Sequence, residues 1–83
     1  MLIHFVQPQF SDEYDDYDYD NYKVINAFTV KDYHRFIKFI QAMKGHEVDL
    51  DGTWYTIETY VFKLPKDSDS LPCLMIYVEE YMG

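Results

Sequence analysis

Asp16, Asp18 and Asp20 stand at alternate positions of the stretch DEYDDYDYDNY, residues 12–22, which holds six carboxylates, four tyrosines and no basic residue. Carboxylates at this spacing suit two kinds of chemistry. The first is calcium binding. With Asp16 at the first position of an EF-hand loop, Asp18 and Asp20 fall at the third and fifth. The sixth is then Asn21 where the sharp turn needs glycine, and the twelfth is Ala27 where a bidentate glutamate closes the site. Flanking helices are missing from the pattern as well, so the EF-hand reading fails. The second chemistry is imitation of a phosphate row. Were residues 15–20 extended, the three aspartates would project from one side at intervals of about 6.6–6.8 Å. DNA carries one charge per roughly 3.4 Å on each strand, and a protein that binds it is built to accept a row of anions.

The tyrosines favour an interface over a merely solvated loop. Carboxylates alone give a weak attraction that salt removes, whereas tyrosine brings contact area and a hydrogen-bonding tip at low entropic cost. Asp12, Glu13, Asp15, Asp16, Asp18 and Asp20 would then stand in for phosphates, and Tyr14, Tyr17 and Tyr19 would anchor the contact. A second alternating set, Glu47, Asp49 and Asp51, joins the same expected partner-binding surface, and Glu79 and Glu80 add charge near the end of the chain. Tyrosines flanked by acids also suit sulfation, but that requires secretion, and the start MLIHFVQP lacks the basic segment of a signal peptide.

Other chemistry is poorly served. His4, His34 and His46 lie far apart and Cys73 is the one cysteine, so no zinc ligand cluster is read and no cofactor is expected. There is no G-x-S-x-G, no phosphate-cradling glycine loop and no H-E-x-x-H, and so little apolar material beyond a core leaves scant room for a pocket. The chain is not expected to be an enzyme. Cys73 falls in the apolar run LPCLMIYV and reads as a buried, inert thiol.

Eighty-three residues suffice for one domain, 1–83, and a hydrophobic content of 48% with 19% aromatics is well above that of a disordered chain. No apolar run approaches the ~18 residues that cross a bilayer. The net charge of −8 is unevenly spread. Residues 1–22 hold six acids and no lysine or arginine; residues 23–45 hold Lys23, Lys31, Arg35, Lys38 and Lys44 against Asp32; residues 46–83 hold eight acids against Lys63 and Lys66. Such a field repels nucleic acid and anionic membranes and attracts basic protein surfaces. Direct nucleic-acid or membrane binding is therefore not expected.

The elements that must carry these residues read as β-β-α-β-β-β. LIHFV (2–6) is a first strand ending at Pro8, residues 9–21 an acidic Tyr/Asp-rich loop, and YKVINAF (22–28) a second strand. Thr29 offers an N-cap, and Val30, Tyr33, Phe36, Ile37, Ile40 and Met43 trace one apolar face of a helix over roughly 30–44. Gly45 suits its C-terminus. Asp51–Gly52 is a hairpin signal joining strands near 47–50 and 53–63. Tyr55, Ile57, Thr59 and Val61 are expected on one face of the longer strand. A polar loop, 65–72, precedes a final strand over 73–82 with Leu74, Ile76 and Val78 inward. The expected fold is α+β: a small antiparallel sheet of about five strands with one amphipathic helix packed on one face.

Opposite the helix's apolar stripe, Lys31, Arg35 and Lys38 follow an i, i+4, i+7 spacing beside His34. This face is either ordinary solvated surface or a dock for the acidic tract, within one chain or across a homodimer.

In charge, size and lack of catalytic motifs the chain resembles the small acidic inhibitors made by phages and mobile elements, several of which mimic DNA. The resemblance covers overall character rather than any stretch of residues. It implies a noncatalytic cytoplasmic protein that blocks the nucleic-acid-binding surface of a basic host protein in defence, repair or transcription. The alternative is an acidic adaptor or dimerisation module whose partner is not a nucleic-acid binder.

Overall fold

In the computed structural model the chain is a small α+β fold. Residues 1–11, 13, 16–65 and 70–82 are described, with the backbone alone at 11 and 17–20. In chain order the elements are β1 (Leu2–Ser11), β2 (Asp16–Thr29), α1 (Tyr33–Met43), β3 (Glu47–Leu50), β4 (Thr53–Lys63) and β5 (Cys73–Glu80). The strands form one five-stranded sheet in the order β2-β1-β5-β4-β3.

The sheet is mixed, not antiparallel as expected. β1 runs parallel to β5, with Leu2 opposite Cys73 and Val6 opposite Tyr77, while the other three pairings are antiparallel. Hairpin signals govern strands adjacent in sequence; β1 and β5 meet only after all the other elements have intervened, which is the long crossover that a parallel pair requires.

β5 is buried on both faces. Leu74, Ile76 and Val78 join Ile3, Phe5, Leu50, Tyr55, Ile57 and Ile40 of α1 in the main core, with Phe36, Ile37 and Met43 packed against it. On the other face Met75 and Tyr77 form a smaller cluster with Val6, flanked by Tyr22 and Cys73. Curling of the sheet into a half-barrel accounts for that second cluster. The Lys63 ammonium lies 5.7 Å from the centre of the Tyr22 ring, although β2 and β4 are three strand spacings apart, about 14 Å in a flat sheet.

Several boundaries differ from the sequence reading. The helix begins at Tyr33 and not near residue 30, because Thr29 pairs with Leu2 and the Val30 amide donates to the Met1 carbonyl at 3.0 Å. Asp32, not Thr29, is the N-cap: its Oδ1 accepts the Arg35 amide at 3.3 Å. Tyr33 is exposed and lies against the His34 ring, leaving the expected stripe. Gly45 does end the helix, at φ +84°, and donates to the Ile57 carbonyl at 2.7 Å. In β4 the register slips between Ile57 and Thr59. Beyond that bulge Tyr60 packs on the main core and Val61 is left exposed, so the expected alternation of Tyr55, Ile57, Thr59 and Val61 holds only to Ile57. The Asp51–Gly52 turn forms as expected, with φ of 56° and 91°, the two positive values a type I′ hairpin demands.

Candidate functional site

Of the stretch 9–21 expected as a loop, residues 9–11 continue β1 and 16–21 begin β2. Pro8 does not end β1. A proline is tolerated in a strand where no neighbour needs its missing N–H, and β1 pairs with β5 only as far as Val6, so beyond that residue its sole partner is β2. Gln7–Ser11 and Asp16–Tyr22 thus make a two-stranded arm that extends past the β1–β5 pairing. Ser11 lies opposite Asp16, Phe10 opposite Tyr17 and Gln9 opposite Asp18. Between Asp18 and Tyr22 the register jumps, so Tyr19, Asp20 and Asn21 have no paired residue across from them.

Asp16 and Asp18 therefore occupy paired strand positions two residues apart, while Asp20 sits in an irregularity of the register. The strand pairing also replaces any EF-hand loop at these three positions. Glu13 is exposed in the connection at the tip of the arm. Asp12, Tyr14 and Asp15, assigned to the same surface from sequence, lie outside the described residues.

The second acidic set lies on the opposite edge of the sheet. Asp49 and Asp51 belong to the β3–β4 hairpin, where Asp49 Oδ1 accepts the Gly52 amide at 2.9 Å. Asp49 thereby holds the turn as well as carrying charge. Glu47 faces Thr56, and Thr56 faces Glu79 on its other side, so two carboxylates flank one threonine across three strands. Trp54 pairs with Asp49 and is half exposed beside them.

Topology draws these sets to one end. β5 runs parallel to β1, so Glu79 and Glu80 point the way the arm points; β4 is antiparallel to β5, which puts the Asp51–Gly52 turn at that end too. At the opposite end lie Leu2, Thr29, Cys73 and Lys63, aligned across four strands, and the chain leaves β2 there for Lys31 and α1. Lys31, His34, Arg35 and Lys38 are all exposed, with Arg35 Nε 3.9 Å from Asp32. Among the described residues there is thus an acidic end and a basic end. Sequence spacing gave no sign of this polarity, because the acids that gather lie up to sixty-odd residues apart in the chain.

Beside the basic end, Val30, Lys31, Asp32, Arg35, Phe36 and Phe39 line a shallow groove of about 520 Å³. A file of rings leads to it from the core: Phe5 to Phe28 at 6.2 Å, Phe28 to Phe36 edge-on at 5.7 Å, and Phe36 to Phe39 at 6.1 Å. Phe39 remains half exposed.

Among the described residues no three His, Cys, Asp or Glu side chains cluster to hold a metal, and no helix is long and apolar enough to cross a membrane. Cys73 is half buried rather than buried as expected. Burial pushes its thiol pKa up, with the nearby Lys63 charge pulling the other way. Comparison with protein-family models, with curated proteins and with solved structures finds no match to this chain.

Proposed function

We propose that this chain is a noncatalytic acidic binding protein whose arm competes with nucleic acid for the basic surface of a host nucleic-acid-binding protein in the cytoplasm. The single observation that supports this most is the gathering of Asp16, Asp18, Asp20, Asp51, Glu79 and Glu80 at one end of the sheet. Carboxylates concentrated in that way present a local negative potential to lysine and arginine groups arranged for phosphates. The arm adds tyrosines at 17 and 19, which suit a buried contact. Like the inhibitors of phages and mobile elements it resembles in character, the chain would act by occupying a site rather than by chemistry.

The test is capture from bacterial lysate at low salt, with elution by duplex DNA. A nucleic-acid-binding protein released by competing DNA supports the reading. Replacing Asp16, Asp18 and Asp20 together by Asn should weaken capture at least tenfold while far-UV circular dichroism is unchanged, since several charge pairs are lost at once. Undiminished capture by that variant removes the arm from the interface.

An adaptor role is favoured by a different observation, the unpaired outer edge of β2 at the margin of the sheet. Salt separates the two readings. A phosphate mimic loses affinity steeply with ionic strength, since exposed charges are screened beyond about 10 Å at 0.1 M; an apolar edge contact changes little.

A further inference from the structure

We infer that two copies of this chain associate about a two-fold axis, with the acidic arm of each against the Lys31–Phe39 groove of the other. The inference is independent of any host target. Arm and groove are separated within one molecule. Asp16 opens β2 and Thr29 closes it, thirteen strand steps apart in a molecule whose longest dimension is 38 Å. β2 is paired with β1 at both ends of this length, at Asp16–Asp18 and at Asn26–Thr29, and that pairing holds the arm's tip away from the groove of its own chain. A contact between them has to be made between copies.

The charges fit one arrangement. With two β2 strands side by side and antiparallel, the acidic end of each copy lies beside the basic end of the other; a parallel arrangement sets like charges together. A two-fold axis makes the contact twice and closes it, so no filament follows. The groove has the matching chemistry: Val30, Phe36 and Phe39 are apolar, and Lys31 and Arg35 outnumber the one acid of its lining, Asp32, which lies 3.9 Å from Arg35 Nε. Tyrosines interleaved with aspartates, as at 17–20, are the residue types such a groove takes up. The groove also lies beside the strand that would lead the second copy in, as the 5.7 Å edge contact of Phe28 with Phe36 shows.

The edge itself contributes less. β2 is irregular after Asp18 and again near Ile25, where the β1 register shifts between Phe5 and Val6. Bulges of this kind discourage a continuous ladder across an open edge, so charge and the groove carry the association.

Sedimentation of the purified chain tests this directly, across a concentration series at low and at high salt. The expected result is a monomer–dimer equilibrium that shifts to monomer as salt rises. Two charge-reversed variants complete the test: Lys31→Glu with Lys38→Glu, which spares the Asp32–Arg35 cap, and Asp16→Lys with Asp18→Lys and Asp20→Lys. Each alone should raise the dimer dissociation constant by about tenfold or more, and an equimolar mixture should restore the wild-type value, because the heterodimer regains opposite charges at both contacts. Restoration on mixing cannot come from misfolding. A wild-type chain that stays monomeric at every concentration overturns the inference, as does dimerisation indifferent to both reversals or a mixture that fails to recover. Failure to capture a host protein leaves this outcome untouched, so the two readings fail separately.

Discussion

The strands β1 and β2 live in two environments along their length. Over Leu2–Val6, β1 is flanked on both sides, and Ile3, Phe5 and Val6 are buried. Over Gln7–Ser11 the same strand has β2 alone for a neighbour, and Phe10 is half exposed. The sequence changes character where the pairing does: apolar up to Val6, then Gln7, Pro8, Gln9 and the acids. A two-stranded ribbon is marginal by itself in water, so the arm takes its order from the body and adds little to the body's stability. Fold and proposed function are thereby held on different halves of one hairpin. Changes to the arm should therefore leave the chain folded while they test the proposed binding.

The sharpest way to break that division is to truncate one side chain in each half. Ile76→Ala removes a fully buried side chain from the central strand and should cost about 2–5 kcal/mol in urea denaturation. Phe10→Ala, in the arm, should cost less than about 1 kcal/mol, as befits a half-exposed site. Comparable losses at the two positions would mean that arm and body unfold as one packed unit.

How far each half was legible in the sequence follows from the range of the interactions involved. The stripe Phe36, Ile37, Ile40 and Met43, the glycine after it and the Asp51–Gly52 turn are local signals, and each formed where its residues indicated. The helix start did not, because Thr29 and Val30 were held by Leu2 and Met1 from the other end of the hairpin. The bulge after Ile57 turned Tyr60 inward in place of Val61, beside the point where Ile57 bonds to Gly45 and His46. The strand character of 16–21 was hidden for a similar reason: aspartate is a poor strand former, and the pairing with Gln9 and Ser11 overrode it. The acidic and basic ends were the least legible feature. They arise from strand direction, above all from the parallel β1–β5 pair.

A smaller effect probes the turns that aim the acidic end. Gly45 and Gly52 both have positive φ, and added methyl groups would meet nothing within 4 Å. Gly52→Ala should therefore cost about 1–2 kcal/mol through backbone strain alone, read as a drop in the urea midpoint with an unchanged slope. Gly45→Ala should match it. A much larger loss at Gly45 would show that its 2.7 Å bond to the Ile57 carbonyl, and with it the seating of α1, also depends on the left-handed turn.

The smallest effect is a proton at Cys73, beside the second cluster on which Tyr22 also packs. Burial raises the Cys73 thiol pKa, and Lys63 lowers it by less. The folded chain therefore keeps this proton to higher pH than the unfolded chain does. The stability this contributes is present below the usual thiol range and lost as pH rises through it to the folded value. Alkylation of Cys73 by a neutral reagent should inflect at higher pH in the folded than in the denatured chain, because the thiolate is the nucleophile. Lys63→Met removes the lowering charge and should move the inflection further up. The triple Asn variant at Asp16, Asp18 and Asp20 should leave it where it is, since burial and the Lys63 charge set that value. An inflection at or below that of the denatured chain would mean that water reaches Cys73 freely and that Lys63 outweighs burial; the body would then be as wet at its basic end as the arm is at its acidic one.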